Sequence, residues 1–184
     1  PRQRAALLVR RAQLLESRLQ DPEGALAQYE TALELDPDAH DALQALKRLY
    51  HARGRFRDLV RALELEAART DDLGVRTTAL YHIARIHSDK LGNRPDAVSA
   101  LERAVDTAPN DRLLLDELSL LKEANRDYRG LAAVLSQRVD VLGDGADQAG
   151  ALHRIGQIYD EHLSDPNTAR IWFERALTID PCYL

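Results

Sequence analysis

The sequence has little of what marks several common protein classes. Its 184 residues include one cysteine, Cys182, and no methionine. A single cysteine excludes an intrachain disulfide and a thiolate metal cluster. Glycine and proline are few, at 9 and 7, and β-branched and aromatic residues are not concentrated in any segment. Ala, Leu, Arg and Glu dominate instead, and because these residues favour helix we expect an all-α fold.

Charge and hydropathy argue against two further classes of protein. The formal net charge is -5 and the pI is near 5.7, whereas a nucleic-acid-binding module usually has a basic face and a high pI. There is no signal peptide and no apolar run long enough to span a bilayer. We therefore expect a soluble protein with no membrane partner, in the cytoplasm rather than the periplasm. The chain begins at Pro1, and we expect it to be a fragment of a longer protein.

An internal repeat with a period of 72 residues runs through the chain. Three prolines, Pro37, Pro109 and Pro181, follow one another at this spacing. The same step relates further residues of like character: Leu8, Leu80 and Leu152; Tyr29, Leu101 and Phe173; Ala32, Ala104 and Ala176. A weaker copy within each period halves the spacing to about 36 residues, close to the length of a helix–turn–helix repeat of about 34.

Apolar residues recur at helical spacing, and the helix boundaries can be predicted. Asp21 before Pro22 and Asp165 before Pro166 each predict an N-cap followed by a proline in the first helical turn. Asp38 and Asn110, which follow prolines, are predicted to cap the next helices. The predicted helices span about residues 3–19, 22–36, 39–53, 56–70, 73–91, 94–108, 111–125, 128–142, 147–163 and 166–180. Because the connections are short, consecutive helices should pack as antiparallel neighbours.

Three repeats carry a pattern that resembles the tetratricopeptide repeat. The pattern has a small residue among larger ones on the first helix, then Ala, a large residue, Ala and a closing Pro on the second. In the last repeat it comprises Leu152, Ile155, Gly156, Tyr159, Ala169, Phe173, Ala176 and Pro181. Ala12 and Ala84 are the equivalent small residues in the other two repeats. A small residue lets the paired helices approach closely, so we expect these positions to be buried.

The two intervening repeats match the pattern less well. Lys47 and Ser119 replace the small residue, and Glu66 and Arg138 replace an Ala of the second helix. The resemblance covers the whole chain and implies a right-handed superhelical solenoid of antiparallel helix pairs, with about ten helices. The repeats span about residues 3–37, 38–72, 73–109, 110–146 and 147–181, and the turn within the well-matched repeats is one residue longer than standard. Their alternation resembles paired-repeat arrays of large bacterial proteins.

No arrangement of residues typical of a catalytic or metal site is found. The six histidines never pair at the i, i+4 spacing that would place two ligands on one helix face. His82 and His87 are five apart and point to different faces. Adjacent acids on a helix point about 100° apart and do not form a catalytic pair. We therefore expect no enzymatic activity, no cofactor and no metal.

The resemblance implies where a partner binds, because first helices line the concave groove of tetratricopeptide arrays. The groove-facing positions carry Gln44, Arg48, His51, Tyr81, His82, Arg85, Asp116, Glu117, His153, Arg154 and Gln157. The middle of this strip is basic and aromatic, and five of its residues are expected in a single patch: Arg48, His51, Tyr81, His82 and Arg85. We therefore expect a protein scaffold that binds a peptide or partner domain, with an acidic ligand complementing the basic patch.

Alternatives to this function stay open. The groove positions can equally be an ordinary solvated surface without a ligand. The repeats can also form a regulatory or self-association array that docks on its own chain or on a symmetry mate. The last predicted helix has no polar capping helix after it, and solenoids need caps to cover the terminal apolar face. RNA binding through Arg48 and Arg85 is a further alternative that the net charge disfavours.

Overall fold

The computed structural model describes residues 1–141 and 145–181, so that Cys182 lies outside the described part of the chain. The described residues form ten α-helices and no strand. The helices are α1 (Arg2–Ser17), α2 (Pro22–Leu35), α3 (His40–Ala52), α4 (Phe56–Arg69), α5 (Leu73–Asp89), α6 (Arg94–Thr107), α7 (Arg112–Ala124), α8 (Tyr128–Val141), α9 (Ala146–Gln157) and α10 (Pro166–Ile179). A π-helical turn, Ile158–His162, continues α9. The all-α fold predicted from the sequence is confirmed.

The helices fall into two compact units, Pro1–Leu91 and Gly92–Leu184. We call them the N-terminal half, which contains α1 to α5, and the C-terminal half, which contains α6 to α10. Within each half, every helix packs against the next one along the chain. This neighbour-to-neighbour packing is what the short connections predict.

Short polar side chains begin several of the helices. Asp21 accepts a hydrogen bond from the backbone N–H of Gly24 at 2.9 Å, as the sequence predicted, and Asp165 caps α10 in the same way. The prediction of caps at Asp38 and Asn110 is wrong. A turn after each proline moves the helix start on by one residue, so Asp111 caps α7 and α3 begins without a side-chain cap.

Left-handed backbone conformations mark the turns between first and second helices. In the well-matched repeats they occur at Gln20, Gly92 and Ser164, with φ of 50°, 62° and 53°. In the other two repeats they occur at Gly54 and Arg126, with φ of 67° and 57°. Both sets follow the 72-residue step, so the period is present in the backbone conformation as well as in residue type.

The last turn of the first helix is wider than an α-helical turn in the last repeat, where Ile158–His162 is π-helical. The N–H of Leu163 donates to the carbonyl of Ile158 at 3.1 Å, a bond that spans five residues rather than four. Bonds of the same span end the first helices of the intervening repeats, from Arg55 to Tyr50 and from Asp127 to Lys122. The π-helical form was not predicted.

The predicted small residues lie at buried helix contacts. Ala12 and Ala84 are 0% and 1% exposed, and Gly156 is also buried. A Cβ atom on Gly156 would lie 2.5 Å from Cε1 of Phe173, a distance that real Cβ atoms do not reach. The close approach of α9 and α10 therefore requires glycine at this position.

Paired polar side chains replace the small residues in the intervening repeats. Lys47 Nζ lies 2.6 Å from Glu66 Oε1, and both side chains are mostly buried. At the equivalent second-helix position of the C-terminal half, Arg138 Nε lies 2.5 Å from Asp116 Oδ1. The sequence identified these positions as departures from the pattern. In the N-terminal half the two substituted residues are partners. In the C-terminal half the partner of Arg138 is Asp116, three residues before Ser119, so the second-helix residue of the ion pair is a cation in place of an anion.

Candidate peptide-binding groove

The N-terminal half contains a pocket of about 440 Å³ between α3 and α5. We call it the central groove. Its apolar lining consists of Phe56, Leu59 and Leu63 from α4 and Ile86 from α5. The three α4 residues lie on one face because they are spaced three and four apart. The volume lies within the range typical of ligand-binding pockets.

The polar lining of the central groove comes from α3 and the last turns of α5. It consists of Lys47, His51, Tyr81, His82, Arg85, Asp89 and Lys90. Four of the predicted groove residues are among them: His51, Tyr81, His82 and Arg85. Lys47 and Arg85 are paired with Glu66 and Asp89. Lys90 adds a further cation, so the polar side of the groove favours a negatively charged ligand.

Arg85 is held in place by residues one helical turn away on α5. Its Nε and Nη2 atoms donate to Asp89 Oδ2 at 3.1 and 2.9 Å, and Nη1 donates to the Tyr81 hydroxyl at 3.4 Å. The hydrogen bond to Asp89, followed by that to Tyr81, raises the pKa of the Arg85 guanidinium. Arg85 is therefore a fixed cation at the edge of the groove and does not have to be ordered by a ligand.

Aromatic contacts join the polar and apolar parts of the lining. The His51 and Phe56 rings meet edge to face with centroids 6.3 Å apart. Lys90 Nζ lies 5.8 Å from the centre of the Phe56 ring on the other side. Tyr81 and His82 are also in edge contact, at 6.3 Å. These contacts restrict the side chains that a ligand meets.

Arg48, the fifth residue of the predicted patch, does not line the central groove. Its Nη2 atom donates to both carboxylate oxygens of Glu16, at 2.7 and 2.9 Å. Glu16 also accepts a hydrogen bond from the Tyr29 hydroxyl at 3.0 Å. Burial and this hydrogen bond raise the pKa of Tyr29 to about 12. Arg48 and Gln44 line a separate pocket on the neighbouring stretch of α1 and α3.

The predicted residues of the C-terminal half are engaged by other side chains of that half. Asp116 pairs with Arg138. Arg154 Nη2 lies 2.5 Å from Glu123 Oε1, and its Nη1 donates to Gln157 at 3.4 Å. The His153 ring packs against Phe173 with centroids 5.2 Å apart. Glu117 lies half-buried on α7.

The apolar side of the central groove was missed by the sequence analysis, which considered only first helices. The signal was available, because Phe56, Leu59 and Leu63 recur at helical spacing on the second helix of the repeat. Asp89 and Lys90 were missed because they lie beyond the positions assigned to the groove. Within the described residues, no three potential metal-ligating side chains form a cluster.

Models of the tetratricopeptide repeat match four segments that together make up most of the chain: residues 5–39, 42–76, 78–111 and 149–181. The chain belongs to the tetratricopeptide repeat family. Proteins built from these repeats are scaffolds for protein–protein interaction, and they are typically not enzymes. The partners that the family implies are proteins or peptides. Among the described residues, no helix is both long enough and apolar enough to cross a membrane.

Several tetratricopeptide structures are similar to the chain. The structure of YrrB, described as a protein with an unusual peptide-binding site, is 21% identical to this chain and has a TM-score of 0.49. The alignment covers 96% of this chain and 86% of the YrrB chain. The structure of MamA is 18% identical, with 92% and 94% covered and a TM-score of 0.48. The pilF protein of Pseudomonas aeruginosa is 15% identical, with 97% and 77% covered and a TM-score of 0.48. No curated protein matches the chain in sequence.

Proposed function

We propose that the central groove binds a peptide segment, or an extended segment of a partner protein, that carries acidic residues beside a large apolar side chain. The observation that supports this proposal is the combination of an apolar floor with a largely cationic edge in one pocket. Phe56 and Leu63 offer a surface for an apolar anchor, and Arg85 and Lys90 lie beside it. Tyr and Arg are favoured anchors at protein interfaces.

Two features make the groove suited to recognition. Arg85 is already fixed by Asp89 and Tyr81, so a ligand does not have to immobilise it, and pre-organised side chains lower the entropic cost of binding. The positive charge of Arg85 is accessible to solvent, since half of this side chain is exposed. Attraction of an acidic ligand should therefore weaken as salt concentration rises.

The test uses a phage-displayed library of random peptides, selected on the immobilised chain and recovered by competition. Recovered peptides should combine acidic residues with an aromatic or aliphatic residue. The double variant Tyr81→Ala with Arg85→Glu should bind a recovered peptide at least about tenfold more weakly by fluorescence anisotropy, since a hot-spot residue contributes 2 kcal/mol or more. Its thermal unfolding should stay close to that of the wild type.

A matched control is Arg61→Glu. Arg61 is another highly exposed arginine of the N-terminal half, and it lines a different pocket, between α2 and α4. This variant should bind the recovered peptides with unchanged affinity. If Arg61→Glu abolishes binding and the groove variant binds normally, the function lies on the other face and the proposal is rejected.

A further inference from the structure

The C-terminal half carries, 72 residues on, an equivalent of every residue that lines the central groove. The apolar equivalents are Tyr128, Leu131, Leu135 and Ile158, which belong to one core cluster or pack against it. We call the surface between α7 and α9 above these residues the second groove. The same backbone plan therefore offers two candidate docking sites, one in each half.

The two grooves differ in the side chains that face each other across them. In the central groove His51 of α3 and His82 of α5 line opposite walls. At the equivalent positions of the second groove, Glu123 of α7 and Arg154 of α9 form an ion pair with atoms 2.5 Å apart. This pair connects α7 with α9 at the surface, where the two side chains are 42% and 46% exposed.

The floor of the second groove is also covered more closely. The His162 ring stacks on Tyr128 with centroids 3.7 Å apart and an angle of 8° between the planes. In the central groove the equivalent contact is that of Lys90 with Phe56, at 5.8 Å. Ile158 is 0% exposed, whereas its equivalent Ile86 is only half-buried.

The charges of the two linings also favour binding of an acidic ligand in the central groove. Glu123 takes the place of His51, but Arg154 takes the place of His82, so these two charges cancel. The equivalents of Lys47, Arg85 and Lys90 are serine, glutamine and histidine, so three cations of the central groove are lost, while Asp89 is replaced by another acid. The second groove therefore lacks the positive charge that attracts an acidic ligand to the central groove.

We infer that the residues at positions 51 and 82, and at their equivalents 123 and 154, decide which groove accepts a ligand. His51 and His82 leave the central groove open. Glu123 and Arg154 bridge the second groove and close it to the same acidic peptide. The chain then has one docking site where its repeat period provides two. This inference rests on the proposed function for the identity of the ligand, but the closure of the second groove can be tested without one.

The test without ligand measures thiol labelling in a Cys182→Ser background. The thiol introduced by Ile86→Cys should react with a maleimide dye at least about tenfold faster than that introduced by Ile158→Cys, because reaction requires access to solvent. Adding Glu123→His and Arg154→His to the Ile158→Cys chain should accelerate its labelling at least threefold. Equal rates at the two positions, or no acceleration, would overturn the inference.

The test with ligand uses the peptide acetyl-Gly-Glu-Phe-Glu-Gly-amide and amide chemical shifts in ¹⁵N-labelled chain. In the wild type, shifts should move at Leu59, Leu63 and Ile86, and not at their equivalents. His51→Glu with His82→Arg, which installs the bridge, should weaken binding about fivefold or more, as expected for an exposed ion pair that the ligand must break. Glu123→His with Arg154→His should add shift changes in the C-terminal half.

The matched control is Arg61→Glu, which reverses a charge in a different pocket of the same half and should bind as tightly as the wild type. Equal shift changes in both halves of the wild type would overturn the inference. So would a bridged variant that binds with wild-type affinity. If the peptide shifts neither half, the proposed ligand is rejected, and the labelling rates still decide whether the second groove is closed.

Discussion

Gly156 and Phe173 are in contact where a side chain on the glycine would leave no room for the ring. A Cβ atom on Gly156 would lie 2.5 Å from Cε1 of Phe173. The equivalent residues two repeats earlier are Ala84 and Leu101, and in the first repeat they are Ala12 and Tyr29. In the last repeat the position of the ring therefore depends on the absence of a side chain at Gly156.

Gly156→Ala should destabilise the chain by about 1–3 kcal/mol, because overpacking forces side chains and backbone to shift. The measurement is the free energy of unfolding from urea denaturation followed by circular dichroism. Gly156→Ala with Phe173→Leu removes the ring that the new Cβ atom would meet and should recover much of the loss. A double variant no more stable than the single one would show that the two side chains are not coupled.

The left-handed turn residues predict that Arg126→Gly and Gly54→Ala change the stability of the chain in opposite directions. Arg126, with φ of 57°, occupies the position that is Gly54, with φ of 67°, in the N-terminal half. A non-glycine residue pays about 1–2 kcal/mol in this conformation, partly offset by the larger entropy that glycine loses on folding. Arg126→Gly should stabilise the chain by about 0.5–1 kcal/mol, and Gly54→Ala should destabilise it by about 1 kcal/mol.

Thermal melts of these two variants measure both effects. A Cβ on Gly54 would make only an ordinary contact, 3.7 Å from Phe56 Cε2, so the expected loss comes from backbone strain and not from a clash. If both substitutions change the melting temperature in the same direction, backbone strain is not the cause.

The Lys47–Glu66 pair predicts a coupling between two mostly buried side chains. Glu66→Ala leaves the Lys47 ammonium without its partner and should cost about 3 kcal/mol, as expected for breaking a buried ion pair. The double variant Lys47→Ala with Glu66→Ala approaches the small-residue pattern of the other repeats and should cost less than the sum of the single variants. Urea denaturation of all four chains measures the coupling. Additive losses would contradict it.

Asp127 predicts a pH-dependent contribution to stability. The hydrogen bond with Lys122, followed by that from the backbone N–H of Gly130, lowers the pKa of this carboxyl group below its usual value. Its contribution is therefore complete above the pKa of an unfolded aspartate and is lost as pH falls through the lower pKa of the folded state. Asp127→Asn keeps a residue that can cap the helix and removes the charge.

At pH 7 the Asp127→Asn chain should be less stable than the wild type by up to about 1 kcal/mol, because the group is partly exposed. The difference should shrink as the pH is lowered below 4 and Asp127 becomes protonated. Unfolding free energies at a series of pH values measure this. A difference that grows as the pH falls would have the wrong sign and would reject the assigned cause.

The helices followed from local features of the sequence, and the groove did so only in part. Periodic apolar residues and N-caps such as Asp21 determine where helices begin and end to within about two residues. The Lys47–Glu66 pair joins residues 19 apart in sequence, and its formation depends on how two helices pack. The engagement of Arg48 by Glu16, 32 residues away, depends on packing in the same way. Pattern alone contains no information on such side-chain partners.

The inverted charges of the intervening repeats bear on how a repetitive chain assembles correctly. Similar repeats can mispair while folding, and misassembly is a known failure of repeat proteins. If α3 paired with α8 in place of α4, Lys47 would meet Arg138. If α7 paired with α4 in place of α8, Asp116 would meet Glu66. Each wrong partnership would bring like charges together in a partly buried position, and the correct ones join opposite charges. We therefore expect these charges to favour the correct helix pairs over the incorrect ones during folding.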